Sequence, residues 1–226
     1  DFEVERSEEQ IDKDRQDVLS DLPLILDYNY SLYEQVYRSA VSFFSGLRSL
    51  KEANLSSAKV VDSLKQMKPD INIATLRDIA RYDNVDQLEN RMLEAIESLY
   101  SIGILPDTVS LTEFDYDRAQ IRKRLQKLNI DIDSLRIMNE VRQLVKQRVS
   151  SDTVTELSSS EFAELTASFV EPNLKINMAA TEQFRDNKLD EIPLVERSFK
   201  AGELIVERNT KIDAWHMAAL EAMTQK

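Results

Sequence analysis

Apolar residues recur at helical spacing along most of this chain, and prolines mark where that spacing stops. From Ser31 onward, Leu32, Val36, Ala40, Phe43 and Leu47 step by four, four, three and four, which draws one buried stripe along a helix. Leu55 to Met67 repeats the pattern and Pro69 ends it. Ile73, Leu76 and Ile79 mark a short helix. Asn84 then caps a longer one carrying Val85, Leu88, Met92, Ile96, Leu99 and Ile102, with Gly103 as its stop and Pro106 beyond. Thr108 to Leu111 reads as an extended segment. Arg118–Leu128 and Ser134–Val149 read as amphipathic helices joined through Asn129 to Asp133. Ser150 to Ser160 is polar, a loop or the foot of the next helix, and Glu161 to Val170 returns the chain to Pro172.

The two ends differ from this helical middle. Ser7-Glu-Glu-Gln10 fits a capping box, and the helix it starts runs to about Asp21 with Ile11, Val18 and Leu22 on one face. Leu24-Ile-Leu26 follows Pro23 as a short strand. Near the other end, Thr181 to Leu189 is helix-compatible, and Pro193 breaks it and biases Ile192 towards extended geometry. Leu194–Phe199 and Glu203–Glu207 read as paired strands around Gly202, which can take the positive φ of a short hairpin loop. Asn209 tolerates left-handed geometry and marks the turn into a closing helix, Asp213 to Met223.

A helix-to-strand hinge occurs twice. Arg15-x-x-Val-Leu19-Ser-Asp-Leu-Pro23-Leu-Ile25 and Arg185-x-x-Lys-Leu189-Asp-Glu-Ile-Pro193-Leu-Val195 share Arg, Leu, Pro and Leu at identical spacing. Either the unit is duplicated and its two strands pair in one small sheet, or the match is chance, since Leu and Pro flanked by acids are common. The expected architecture is predominantly helical α+β. A discontinuous helix-plus-strand core is built from residues 1–30 and 171–226, and a large all-helical insertion spans 31–170.

Composition narrows the function classes. The chain has 226 residues, 42% of them hydrophobic, enough to bury a substantial core, and three Gly with five Pro argue against a sandwich of many tight turns. A formal net charge of −12 disfavours nucleic-acid phosphates and anionic headgroups as partners. No cysteine is present, so disulfides and thiol chemistry are excluded while the compartment stays open. No apolar run reaches the ~18 residues a membrane span requires. The chain begins at Asp1 without a signal peptide, which is expected to follow from removal of preceding sequence.

Pro172, Asn173, Leu174, Thr181, Arg185, Pro193, Val195, Lys200, Gly202, Glu203, Ile205 and Val206 form an ordered set, and Phe2-Glu-Val4, Ile11, Arg15 and Pro23 add a looser one. Together they resemble the extracytoplasmic domain of the seven-transmembrane HD phosphohydrolases of the PgpH type, whose cytoplasmic HD domain hydrolyses cyclic di-AMP. Between Tyr30 and Val170 the agreement is only a long helical region, and the family tends to have Gly where this chain has Asn209.

The resemblance implies a non-catalytic sensory or regulatory domain, tethered outside the cytoplasm to the inner or plasma membrane. A membrane helix would precede Asp1 and a bundle would follow Lys226, with both termini on the membrane side. The implied partners are the transmembrane helices and HD domain of the same protein and an unknown extracytoplasmic ligand or protein. Nucleic acid, direct membrane insertion by this chain and cofactors are not expected. The alternative is a helical scaffold or protein–protein interaction domain of the cell envelope; a hydrolase in its own right is disfavoured.

An HD site needs several histidines and aspartates, including an adjacent His-Asp pair. Here His216 is the single histidine, Met217 follows it, and packing or surface placement is its expected role. Asp115-x-Asp117 and Asp131-x-Asp133 invite a metal reading, but neither has a calcium-loop glycine with a distal Glu, so solvation or helix capping is expected. Catalytic and metal sites are thus expected to be absent. The motif residues Pro172, Asn173, Thr181, Arg185, Pro193, Lys200, Gly202, Glu203 and Ile205 are expected to be structural. Arg15 and Arg185, each eight residues before its proline, either lock helix onto strand by salt bridges or build an anion pocket. Tyr28, Tyr30, Tyr33 and Tyr37 either seal an interdomain seam or line a ligand cleft.

Overall fold

The computed structural model describes residues 1–149 and 157–224. In chain order the elements are β1 (Phe2–Glu5), α1 (Glu8–Ser20), β2 (Pro23–Tyr28), α2 (Tyr30–Glu52), α3 (Ser57–Met67), α4 (Ile73–Arg81) and α5 (Val85–Tyr100). Next come β3 (Ile104–Leu105), β4 (Arg118–Lys123), β5 (Gln126–Asp131), β6 (Arg136–Ile137), α6 (Val141–Val149) and α7 (Ser159–Ala167). The chain ends with β7 (Leu174–Ile176), α8 (Met178–Asp190), β8 (Val195–Phe199) and α9 (Ala214–Thr224). This is a predominantly helical α+β chain, as its periodicity predicts.

Short polar side chains set the helix starts. The Ser7 hydroxyl accepts from the Gln10 amide at 3.3 Å while the Ser7 amide donates to the Gln10 side chain at 3.0 Å. Ser158 and Glu161 repeat the arrangement at α7. Asn29, Asn72 and Asn84 accept first-turn amides of α2, α4 and α5. Hydrogen bonds from Ser158 hold the Glu161 carboxyl below the usual range.

The chain divides into two compact units, Pro23–Asn177 and Asp1–Leu22 with Met178–Lys226. In the larger unit a four-stranded sheet runs in the order β5-β4-β2-β7, with β2 parallel to β4 and antiparallel to β7. Leu24, Ile25 and Leu26 of β2 are all fully buried, as befits a central strand covered on both faces. A helical layer packs around Phe43, Phe44, Leu47, Leu64, Leu88, Met92 and Phe162. Its aromatic contacts are edge-on: Phe43 meets Phe44 and Phe169, each at 5.4 Å between centroids. Arg48 joins α2 to α5 through Asp86 at 2.9 Å and Glu89 at 2.6 Å. Arg136 donates to the Ser98 and Leu99 carbonyls and Lys123 to that of Ser101, so cations neutralise the carboxyl end of α5.

In the smaller unit β1 pairs antiparallel with β8, matching Phe2 to Phe199 and Val4 to Arg197. α1 packs on α8, and α9 covers β1. Val4, Phe199 and Ala219 form a small core, with Phe2, Ile205 and Trp215 packed against it.

Several sequence expectations change. Leu24 and Leu194–Val195 do not pair in one sheet: β2, buried on both faces, takes β4 and β7, whereas β8 takes β1. Arg118–Leu128 is not a helix but β4 and the start of β5. The sign was in β5 and beyond, where Leu128, Ile130 and Ile132 alternate with exposed Lys127, Asn129 and Asp131 at the period of a strand. Ser134–Val149 is helical only from Val141, preceded by β6 and a tight turn at Met138–Glu140. Residues 31–170 are therefore not all-helical. Glu203–Glu207 forms no strand: Glu203 instead closes a turn with Lys200. Thr108–Leu111 forms no strand either, and a single helical turn begins at Leu111. Of the polar stretch 150–160, residues 150–156 lie outside the described residues. The unit boundaries fall at Leu22 and Met178, against the expected 1–30 with 171–226, because β2 and β7 are sheet partners of one another.

Gly103 sits at φ +113, and a Cβ placed there would lie 2.7 Å from the Leu174 side chain. Gly103→Ala should therefore destabilise the chain by about 1–3 kcal/mol in denaturant unfolding, combining a disfavoured backbone with an overpacked contact.

Candidate functional site

Two places gather the residues the sequence singles out, one in each unit. In the larger unit β2 ends at Tyr28, Asn29 caps α2, and Tyr30, Tyr33 and Tyr37 follow on its first turns. The Tyr28 hydroxyl donates to the Tyr100 carbonyl at 2.8 Å. The Tyr100 hydroxyl in turn donates to the Glu171 carbonyl at 2.7 Å and accepts from the Glu171 amide at 3.0 Å. Past Pro172, Asn173 is buried, and its side-chain oxygen accepts the Ile104 amide at 2.8 Å. Its backbone amide donates to Ile104, and its carbonyl accepts from Asn29, both at 2.9 Å. The phenols of Tyr28 and Tyr100 are thus engaged by main-chain atoms at Tyr100 and Glu171, and the two bonds link three segments distant in sequence.

Ring contacts extend this cluster. Tyr28 lies 4.6 Å from Tyr30, and Tyr33 lies 5.3 Å from Tyr100 and 6.3 Å from Tyr37. Lys123 and Arg124, at the turn between β4 and β5, each stand 4.6 Å above a ring, those of Tyr28 and Tyr30. Burial is the first cause that pushes Tyr28 and Tyr100 up to about 12, and it raises Tyr33 as well. Burial also lowers Lys123. Tyr37 is the most open of the four sequence-picked tyrosines, at 41% exposure.

In the smaller unit the Lys200-Ala-Gly-Glu203 motif is a closed turn. The Lys200 amide donates to the Glu203 carboxylate at 3.1 Å, the Glu203 amide donates to the Lys200 carbonyl at 3.0 Å, and Gly202 takes φ +87. The other carboxylate oxygen of Glu203 accepts from Arg197 at 2.7 Å. The Lys200 amide first, then Arg197, holds the Glu203 carboxyl below its ordinary range. Asp1 accepts the Ala201 amide at 2.9 Å, which ties the start of the chain to this turn. Arg197 stands 4.7 Å above the Phe199 ring, whose centroid lies 5.1 Å from that of Phe2 in a stacked arrangement. Phe2, Lys200, Gly202, Glu203, Ile205 and Met223 line an open recess of about 290 Å³ beside the turn.

The remaining sequence candidates are more dispersed. Thr181 is buried in α8. Arg15 pairs with Asp12 and Arg185 with Asp186, each at 3.1 Å on its own exposed helix face. The expected salt bridges from these arginines onto a strand are therefore replaced by local ones. Arg6, which the sequence reading passed over, makes the tie instead: its side chain donates to the Pro193 carbonyl at 3.2 Å and pairs with Asp14 at 2.7 Å. Its only sequence signal is its place between a strand and the capping Ser7. Asp213 accepts the His216 amide at 3.1 Å and meets the His216 ring nitrogen at 2.6 Å, as the N-terminal cap of α9. Those two contacts, the amide first, lower the Asp213 carboxyl. Asp131 pairs with Arg118 across the β4–β5 ladder, and the Asp117 carbonyl accepts from Ile132. Among the described residues, no group of three or more His, Asp and Glu side chains converges as a metal site would require.

Compared with known proteins, residues 1–224 match the family described as 7TM-HD extracellular. Neither the curated proteins nor the solved structures contain a match to the chain.

The tyrosine pair makes alkaline stability a readout of this site. A phenol raised from 10.0 to about 12 in the folded chain contributes stability that is complete below pH 10 and is lost as pH rises through 12. Chemical unfolding measured across that window should show a fall that Tyr100→Phe makes shallower. At the turn, Glu203→Gln should speed hydrogen exchange of the Lys200 amide at neutral pH, while the amides of α5 keep their protection.

Proposed function

Because the chain belongs to the 7TM-HD extracellular family, we propose that it is the regulatory domain of a membrane protein whose cytoplasmic HD domain hydrolyses cyclic di-AMP. Membership places the chain outside the cytoplasm and in association with the transmembrane and HD parts of the same protein, as a non-catalytic part of it. Among the described residues no helix is long and apolar enough to cross a membrane. On the proposed reading the domain binds an extracytoplasmic ligand or partner protein and shifts the cytoplasmic enzyme between two states. Such a shift requires that the signal bind one state more tightly than the other.

The observation that carries the reading is the family match across nearly the whole chain. The β1–β8 pair supports it physically. Strands from the two ends of the chain share one ladder, and Asp1 closes onto the Lys200–Glu203 turn. A ligand that reorders this turn acts on both ends at once.

The test is cyclic di-AMP hydrolysis by the full-length protein in membranes. Glu203→Ala should change the rate by about fivefold or more, the lower end of ordinary coupling between sites, at unchanged protein level. An unchanged rate in that variant and in a protein lacking residues 1–224 would remove the regulatory reading. In the isolated chain, a bound signal should raise the melting temperature, and Glu203→Ala should weaken that rise.

A further inference from the structure

We infer that the outer edge of β5 pairs with β5 of a second copy of the chain, as an antiparallel ladder centred on Asn129. β5 ends the strand order β5-β4-β2-β7, and no described strand pairs with its outer side. Ile132 donates to the Asp117 carbonyl at 2.9 Å, which fixes the alternation of the ladder with β4. Leu128 and Ile130 therefore direct their backbone groups towards β4, while Lys127, Asn129 and Asp131, all exposed, direct theirs outward. A row of outward amides and carbonyls is a template for another strand.

Side chains decide which strand fits. Arg122 and Lys127 stand directly opposite one another in the β4–β5 ladder, a like-charge pair that weakens a sheet. Among the described residues neither has an ion pair. The acid of the same edge is Asp131, at its other end. When two β5 strands run antiparallel with Asn129 opposite Asn129, Lys127 of each faces Asp131 of the other, and Leu128 faces Ile130. Moving the register two residues either way sets Asn129 opposite a charge instead, Lys127 in one direction and Asp131 in the other. The Asn129 amide is already aimed for this meeting. Its Oδ1 accepts from Gln120 Nε2 at 3.0 Å, which leaves its NH2 group to donate across the axis to the second Asn129. Leu128 and Ile130 are half-buried against the core of Ala119 and Ile121, and the pairing covers their open sides. A ladder this short is smaller than an ordinary stable interface, and chains of net charge −12 repel one another. Tethering of the extracellular domain to the membrane parts of its protein supplies the effective concentration that the edge alone lacks. The pairing does not depend on whether the domain senses a ligand.

The chain has no cysteine, so a single thiol can report on the edge. In the full-length protein in membranes, with any cysteine outside this chain replaced, Asn129→Cys sets two thiols across the axis at a Cα separation of about 5.5 Å, within reach of a disulfide. Mild oxidation should give a covalent dimer. Leu125→Cys, on the fully exposed β4–β5 turn and about 27 Å from its counterpart in this register, should stay monomeric. Adding Lys127→Glu to Asn129→Cys should abolish the dimer, and adding Asp131→Lys to that variant should restore it, with circular dichroism of the variant chains as the control for folding. The proposal is overturned if Asn129→Cys dimerises no more than Leu125→Cys, or if Lys127→Glu leaves the dimer intact. It is equally overturned if the thiol at position 129 neither dimerises nor reacts with a maleimide, which would make the occupant a different protein.

Discussion

The run Leu24-Ile25-Leu26 is buried on both faces, and the larger unit is arranged to satisfy it. A strand with no solvent face must have its backbone groups paired on both edges, since an unpaired buried amide or carbonyl costs as much as a lost hydrogen bond. β4 supplies one edge from the middle of the chain and β7 the other from far beyond it. Asn177 completes the second edge with a backbone bond to Ile25 at 2.8 Å and a side-chain bond to Asp27 at 2.6 Å. The long stretch between β2 and β7 is therefore closed into one body by a ladder, and the helical layer folds within that closure.

Once β2 is placed, the tyrosines and Asn173 follow from it. Tyr28 ends the strand, and its phenol reaches the last carbonyl of α5; Tyr100 ends α5, and its phenol reaches Glu171 just before β7. Asn173 adds the Ile104 amide after the Gly103 turn. Each group satisfies a main-chain atom at the end of an element, where helices and strands leave backbone groups unpaired. The Tyr28 and Tyr100 hydroxyls thus serve as struts between segments of one unit, and the four tyrosines expected at an interdomain seam all lie within that unit. In the smaller unit Glu203 does the same for a turn, with Arg197 as its counter-ion and an aromatic stack beneath.

Much of this was legible from local chemistry. Helix starts were readable where Ser7 and Asn84 act on amides three residues ahead of themselves. The buried stripe of α2 and the positive φ at Gly103, Gly202 and Asn209 were readable for the same reason: a helical period and a missing or short side chain are properties of a few adjacent residues. β4 and β5 were misread because a six-residue segment holds too few periods to separate helix from strand unless its partner is known. The Arg6 tie was invisible because its acceptor, the Pro193 carbonyl, is 187 positions away.

By itself, then, the amino-acid order determined the helical α+β class, most helix boundaries and the family, because each depends on residues that lie close together or recur in a set order. Which strand pairs with which was decided only by the tertiary structure. The two hinge copies carry the same Arg, Leu and Pro, yet their strands enter different sheets. The reason is burial: Leu24 to Leu26 lose all contact with water and require two edges, while the Val195–Phe199 strand buries only Phe199 and is satisfied by β1 alone. That difference lies in what surrounds the residues, which no reading of the segments in isolation contains.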